Sequence, residues 1–357
     1  MRTFVLLGLL AASASAGCDP APALDWDHPT AVGSAPDPVD AGVDEIVFAA
    51  IGDFGEEGEP QTRVAGAVAD ACVEAGGCDF ALTLGDNLYD FGLNGSEEAE
   101  QRLRALVDSY PQMPKFMVLG NHDWHAIRTE LSRAQRELEW IAEQDDVFGA
   151  FHYYDFRAGP AQFHGMDSNW IVRHLDSDEA TELDAWGQTI GASDAPWTFT
   201  FGHHPILSNG RHGNAGDYRD TGLDLWPGTN YRAFLDEHVI GTADLHLAGH
   251  DHNLNFFPGT GGPNGDATAT LVSGSAAKCR GLGPVSANPG TGDAGTGVTA
   301  TYEFYGFGFA LVRVTDDELV VTMHAEGMDP WTTRRSLDSV AWTIDGDPFI
   351  DTSSHCE

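Results

Sequence analysis

Positive charge is scarce in this sequence. Its 357 residues include 18 Lys and Arg against 55 Asp and Glu, a formal net charge of −37 at pH 7. That balance argues against nucleic-acid binding driven by a basic face. It also means that an anionic ligand is repelled at long range and must be attracted by bound metals or by a few local residues. A glycine-rich phosphate loop with its lysine is missing too, since Gly52-Asp53-Phe54-Gly55 offers a carboxylate instead, which disfavours a nucleotide-driven enzyme. Beyond the N-terminus no segment is apolar and long enough to span a bilayer. No internal repeat is evident, and cysteine is limited to five residues.

What is present is a series of short polar motifs, each following an apolar run that reads as a strand. They are Gly52-Asp53-Phe54-Gly55, Gly85-Asp86-Asn87-Leu88-Tyr89, Gly120-Asn121-His122-Asp123, Gly202-His203-His204-Pro205 and Gly249-His250-Asp251-His252. A single Gly-Asp pair is ordinarily a turn, and a single His at a strand end is ordinarily a surface or core group. Five such tips in one chain, each delivering Asp, Asn or His, are how a metal site is assembled from distant parts of a sequence. The set points to two metal ions and to phosphate ester chemistry. If His250-Asp251-His252 is extended, its two imidazoles project to one side and Asp251 to the other.

These motifs resemble those of the calcineurin-like metallophosphoesterases and, within them, the purple acid phosphatases, over about Glu45 to Thr322. Generic members carry Asp-x-His and then Gly-Asp-x-x-Asp. Here Gly55 stands where that His would be and Tyr89 where the second Asp would be, and a lost imidazole replaced by a phenol is the purple acid phosphatase pattern. A phenol ionises near pH 10 and gives a hard donor, which suits Fe(III) better than Mg or Ca.

The resemblance implies that Asp53, Asp86, Tyr89 and His252 hold a ferric ion. It assigns Asp86, Asn121, His203 and His250 to a divalent ion (Fe(II), Zn or Mn), with Asp86 bridging. Two cations close together repel unless anionic ligands lie between them. His122 and His212 match the family's catalytic imidazoles, which hydrogen-bond the phosphate and protonate the leaving alkoxide. His204 replaces a family Tyr and is expected at the rim of the site.

The implied activity is metal-dependent phosphomonoester hydrolysis by a hydroxide formed at the metal pair. The substrate would be a phosphorylated small molecule or a phosphoprotein. A phosphodiesterase or nucleotide pyrophosphatase on the same metals, or a surface binding protein that retains them, are the alternatives. The implied fold is α/β, a four-layer αββα sandwich of two mixed β-sheets flanked by helices, with ligands at strand C-terminal ends. No extra N-terminal β-domain is evident, so the chain resembles the small, single-domain members.

Met1-Arg2, the apolar stretch Phe4 to Ala12 and the small residues after it read as a secretory signal over residues 1–18. Cleavage follows either Ala14-Ser15-Ala16, or precedes Cys18 with lipidation there, since Ser15-Ala16-Gly17-Cys18 resembles a bacterial lipobox. The expected location is therefore secreted or in the cell envelope, anchored through Cys18. Setting Cys18 aside leaves an even set suited to an oxidising compartment, and the expected pairs are Cys72 with Cys78 and Cys279 with Cys356. Asp19 to Asp44, rich in Pro, Ala and Asp, is expected to be a disordered tether, and residues 45–357 one phosphoesterase domain.

Within that domain strands are expected at Ile46–Ile51, Phe80–Leu84, Lys115–Leu119, Phe151–Phe156, Gln162–Met166, Trp197–Phe201 and Ala243–Leu247. Helices are expected at Gln61–Cys72, Glu97–Val107, Thr129–Ala142, Thr181–Ile190 and Tyr231–His238. After His252 the pattern turns to strands at Ala267–Val272, Phe309–Val314 and Leu319–Ala325. Ser208 to Gly228, which holds His212, is read as a loop able to cover the site.

Overall fold

A computed structural model describes residues 32–126, 130–173, 177–218, 227–261, 264–281 and 298–356. In chain order it begins with β1 (Val32–Ser34), β2 (Glu45–Ile51), α1 (Glu59–Glu74), β3 (Phe80–Leu84), α2 (Glu97–Ser109), β4 (Lys115–Val118) and α3 (Leu131–Ala142). There follow β5 (Val147–Phe148), β6 (Tyr153–Ala158), β7 (Ala161–Met166), α4 (Ser168–Arg173), α5 (Ser177–Ile190) and β8 (Trp197–Gly202). Next come α6 (Thr229–Phe234), continued by a π-helical turn over Leu235–Val239, then β9 (Leu245–Ala248) and β10 (Leu254–Phe257). After a 3-10 turn at Gly265–Ala267 the chain forms β11 (Ala269–Ser273), β12 (Tyr302–Gly306), β13 (Gly308–Thr315) and β14 (Glu318–Ala325). The last strands are β15 (Trp331–Ser336), β16 (Thr343–Ile344) and β17 (Phe349–His355).

The period of two along the strands sets the layering. In β2, Ile46, Phe48 and Ala50 face one core while Ala49 and Ile51 face another. Both faces are buried, as expected of a parallel strand packed between layers. The first core lies between two sheets. It joins Phe48, Phe80 and Phe116 of the eight-stranded sheet to Phe156, Phe163, Phe199 and Phe201 of the nine-stranded one. Phe116 stacks on Phe156 at 3.8 Å between centroids and Phe156 on Phe163 at 4.8 Å. The second core packs Val64, Val68, Leu103, Leu106, Leu138 and Ile141 of α1, α2 and α3 on the outer face of the smaller sheet. A third packs Ile171, Leu183, Trp186, Tyr231 and Phe234 of α4, α5 and α6 on the outer face of the larger one. Helices, sheet, sheet and helices make the α/β, four-layer αββα sandwich.

Local chemistry supports the helices. Ser96 caps α2 by accepting the Ala99 amide at 3.2 Å, and Glu97, Glu98 and Glu100 sit in the first turn, where carboxylates complement the helix dipole. α1 opens with Glu59 and Pro60, a proline position that gives up no helical donor.

One expectation changes and another is extended. Val32–Ser34, within the stretch read as a disordered tether, pairs in parallel with Tyr153–Asp155 of β6; Gly33, where a Cβ would collide with the Phe151 ring, lets the segment lie close against the sheet edge. Residues 19–31 and the signal and lipobox segment lie outside the described residues. The region after His252 is mainly strands, as expected, and carries further ones beyond the three singled out. Short or polar runs such as Phe349–His355 show little apolar alternation, and neighbouring strands recruit them.

Candidate metal centre

Strands β2, β3 and β4 are parallel neighbours in one sheet, and β8 and β9 are parallel neighbours in the other. Their C-terminal ends meet at one place. Cross-sheet bonds fix that meeting: the Gly52 amide donates to the Ser273 carbonyl at 2.8 Å, and His203 Nδ1 donates to the Leu84 carbonyl at 2.8 Å. Glycine is needed because the tips nearly touch. A Cβ at Gly249 would lie 2.5 Å from Asp53 Oδ2, and one at Gly120 would collide with the Asp86 carboxylate. Asp53, Asp86 and His250 have φ of 57°, 54° and 69°, a left-handed conformation that costs about 1 kcal/mol or more in a residue with a side chain. Three such residues clustered at one site are a sign of function rather than of chain economy.

Seven side chains proposed from sequence to hold metal are brought together here. The Tyr89 hydroxyl is 2.8 Å from Asp53 Oδ1, 2.8 Å from Asp86 Oδ2 and 3.2 Å from His252 Nε2. His252 Nε2 is 3.3 Å from Asp53 Oδ1. On the other side His203 Nε2 lies 3.1 Å from Asn121 Oδ1, 3.1 Å from His250 Nδ1 and 3.4 Å from Asp86 Oδ1. Asp86 thus offers one oxygen to each of two four-residue sets. The first set includes the cluster Asp53, Asp86 and His252, whose ligand atoms all lie within 4.8 Å of one another.

This arrangement fits cations. Because His203 uses Nδ1–H on Leu84, its Nε2 presents a lone pair to an amide oxygen and a carboxylate. Among the described residues no Lys or Arg is ion-paired with Asp53 or Asp86, although both are buried. Burial, with the Asp86 charge beside it, pushes the Asp53 carboxyl up to about 7. Against the effect of burial, the His203 and His122 imidazoles hold Asp86 well below the usual carboxylate range. Burial and the two carboxylates push the Tyr89 phenol well above 10. Without a cation the protein cannot keep all three anionic, and a strongly charged ion reverses that balance.

His122 donates Nδ1–H to the Asp90 carbonyl at 2.6 Å, so its Nε2 faces the centre, 4.0 Å from Asp86 Oδ2, on a half-buried ring. His212 is held by Asp251, which accepts its amide at 2.9 Å, and its Nε2 accepts from Arg280 at 2.9 Å. His250-Asp251-His252 is not extended: it follows β9 as a bend with His250 at positive φ. The reason is that the chain must reverse into β10, and Asp251 bonds the Ser208–Gly213 loop as it does so. His204 is not at the rim. It is fully buried, bonded to Ser168 Oγ at 2.9 Å and packed 4.4 Å from the His250 ring. Ser208–Tyr218 is mostly buried against the centre, and 219–226 lie outside the described residues. His152 and His164 sit apart, paired with Asp167 and Asp155.

Other groups escaped the sequence reading. Asp123 accepts the amides of Gly120, Asn87 and Leu88 at 2.7 to 3.1 Å, and Asn87 Nδ2 donates to Glu137 at 2.9 Å. Burial and the nearby Asp86 push Asp123 up to about 8, and burial and Asp123 push Glu137 well above the carboxylate range. A Glu within the apolar stripe of α3, between Ala134 and Ile141, is the signal that would have exposed the second of these. Lys278 and Arg280 flank Cys279 beside the site. Their signal was two of few cations around one cysteine.

Known proteins support the same picture. The family model described as calcineurin-like phosphoesterase matches residues 46–254. The chain is 27% identical over 327 residues to purple acid phosphatase 17 of Arabidopsis thaliana, covering 82% of this chain and 85% of that protein. It is 26% identical to purple acid phosphatase 7 of the same plant, covering 65% and 70%. Among solved structures, the purple acid phosphatase PPD1 of yellow lupin (Lupinus luteus) superposes with TM-score 0.56 at 14% identity, over 83% of this chain and 55% of that one. GAP50, the anchor in the inner membrane complex of Plasmodium, gives TM-score 0.58 at 17% identity, over 88% and 92%. Both share the fold.

Proposed function

The chain belongs to the calcineurin-like phosphoesterase family and is a phosphoester hydrolase, and from that premise we propose that it is a phosphomonoesterase with a two-metal centre. The observation that carries the proposal is the sharing of Asp86 between two donor sets, Asp53, Tyr89 and His252 on one side and Asn121, His203 and His250 on the other. Tyr89 favours Fe(III) in the first set, and the neutral amide and imidazoles of the second suit Fe(II), Zn or Mn. Bound there, the ions would supply a water of lowered pKa and offset the charge of the transferred phosphoryl group.

The chain's own residues do the remaining work. The second carboxylate oxygen of Asp53 accepts the His250 amide at 2.8 Å, and one oxygen of Asp86 accepts the His122 amide at 2.9 Å; both bonds orient the donors. His122, with Nδ1–H committed to a carbonyl, presents Nε2 to the phosphate and is the better placed proton donor to the leaving alkoxide. His212 has its Nε2 engaged by Arg280 and positions that guanidinium.

The proposal extends to location. Disulfides join Cys72 to Cys78 and Cys279 to Cys356, which supports an oxidising compartment. Among the described residues no helix is long and apolar enough to cross a membrane. Export by the signal at residues 1–18, anchoring through Cys18 and one catalytic domain over 45–357, with β1 added at its sheet edge, complete the reading.

The test is metal analysis of the purified protein with p-nitrophenyl phosphate hydrolysis before and after chelation. Iron plus one divalent ion, and hydrolysis that follows metal content, is the expected result. Tyr89→Phe should abolish the visible charge-transfer band and weaken iron binding; a wild-type protein with no such band under oxidising conditions removes the iron assignment. Metal without monoester hydrolysis would move the reading to the diesterase or binding alternatives.

A further inference from the structure

β11 runs parallel to β9 and also ends at the metal centre, although no motif marks it. The chain beyond it is laid along the strand tips. Ala276 donates its amide to the Gly52 carbonyl at 3.2 Å, Ala277 to Asp53 at 3.1 Å, and Arg280 to His252 at 3.1 Å. The Cys279–Cys356 disulfide, which spans 77 residues, clamps this segment to the C-terminus. Either side of that clamp stands a cation. Arg280 donates Nη1–H to His212, and Lys278 lies 4.3 Å from the centroid of the Tyr89 ring while pairing with Glu56.

Arg280 differs from most arginines of this acidic chain. Arg63, Arg104, Arg157, Arg232, Arg313 and Arg335 each bind a carboxylate, whereas Arg280 has none among the described residues; unlike Arg136 and Arg211, which are exposed, it is half-buried and held by His212 beside the centre. A guanidinium held by backbone, disulfide and imidazole rather than by a carboxylate keeps its charge and donors for an incoming anion. Its planar fork matches phosphate oxygens in pairs. The metals would take the scissile phosphoryl group, so a cation beside them acts on the leaving group.

We propose that Arg280 and Lys278 form a second anion subsite, held in place by the Cys279–Cys356 disulfide, which favours substrates whose leaving group is itself a phosphate, the phosphoanhydrides, over simple monoesters. The inference rests on the hydrolase reading above. Its reaction balances with water alone: hydrogen diphosphate and water give two hydrogen phosphates and one proton. The new bond joins the water oxygen to one phosphorus, and the bridging oxygen departs on the other, where Arg280 stabilises the charge it gains.

The experiment compares kcat/KM for pyrophosphate with that for p-nitrophenyl phosphate in the metal-loaded protein. Arg280→Ala should lower the ratio of the two by about tenfold, the scale of a lost charge-assisted hydrogen bond. Lys278→Ala should lower it about threefold, since Lys278 shares its charge with Glu56. Replacing both Cys279 and Cys356 by Ser should move the ratio the same way. A ratio within twofold of wild type in Arg280→Ala, with both substrates still turned over, overturns the subsite. If that variant does not fold, as judged by circular dichroism, Arg280→Lys decides: it keeps the charge without the fork and should lower the ratio about threefold, and an unchanged ratio overturns the subsite. If the wild-type protein hydrolyses neither substrate, the hydrolase reading fails. Calorimetric binding of pyrophosphate then judges the subsite separately, and an affinity unaffected by Arg280→Ala removes it.

Discussion

Strands β2, β3 and β4 bury Phe48, Phe80 and Phe116 between the sheets and are followed, within a few residues of their C-terminal ends, by Asp53, Asp86 and Asn121. The two regions are equally shielded from water and opposite in chemistry. The aromatic core has no polar demand, and ring packing adds to its area burial. The metal end gathers carboxylates, a phenol and imidazoles, three of its residues at positive φ. Burial there raises Asp53 and Tyr89 while the imidazoles lower Asp86. Each strand holds the fold together so that the loop at its C-terminal end can carry strained and buried groups that an ion would stabilise.

Substitutions that act in opposite directions on stability and activity sharpen this contrast. Asp86→Asn should show the largest effect, lowering phosphate ester hydrolysis by about a thousandfold because both donor sets lose their common member. Asp53→Asn, which takes a donor from the first set, should also lower hydrolysis but leave the metal-free protein as stable or raise its unfolding free energy by about 1 kcal/mol at neutral pH, since burial pushes that carboxyl up to about 7 and the change removes a disfavoured buried charge. Denaturant unfolding of the chelated protein checks this, and a large loss of stability would break the contrast.

Phe163→Ala should do the reverse. The ring contacts Phe48, Phe80, Phe156 and Phe199 and is fully buried, so its loss should destabilise by about 4 kcal/mol. Metal content per folded molecule should be unchanged.

A third prediction concerns acid. His246 lies beneath the site, where it donates to the His204 carbonyl at 3.3 Å and bonds Thr200, and burial pushes its imidazole down to about 4. Below the ordinary histidine value the unfolded chain takes up a proton that the native chain refuses. Its contribution is therefore whole above about pH 6.5 and is lost as pH falls towards 4, by about 3 kcal/mol in total. His246→Gln should flatten that part of the stability profile, measured by urea unfolding between pH 7 and 4.

The smallest effect is expected at Glu137, whose buried carboxyl is pushed well above the usual range. Glu137→Gln replaces a neutral acid by a neutral amide and should change unfolding by less than about 1 kcal/mol. Glu137→Ala, which strands the Asn87 amide, should cost about 2 kcal/mol or more.

Much of the site was legible because each donor follows an apolar strand and carries its own glycine. Strands Phe80–Leu84 and Trp197–Gly202 and the helices after β2, β3 and β4 are strongly patterned, and they fall close to where the pattern puts them. Weakly patterned pieces were not legible. Phe349–His355 alternates little, and Val32–Ser34 sits in a Pro- and Asp-rich stretch. His204 was misplaced because nothing local distinguishes a buried imidazole from one at a rim. The bend at His250 was missed for a similar reason: its conformation is imposed by the return into β10.

The sequence by itself determined which residues can serve the chemistry, because residue type and strand-end position are local properties. It also determined the order of strand and helix units, while the four-layer arrangement was implied by the family resemblance of the motifs. Only the tertiary structure decided how the donors divide. That Asp86 turns one oxygen to Tyr89 and the other towards His203, that Asp123 and Glu137 stand behind Asn87, and that β11 lays Arg280 beside His212 all follow from how two sheets packed face to face, and the helices on them, bring their strand ends together. Those contacts join residues tens to hundreds of positions apart. Their geometry is fixed by packing between sheets, which no short stretch of sequence contains.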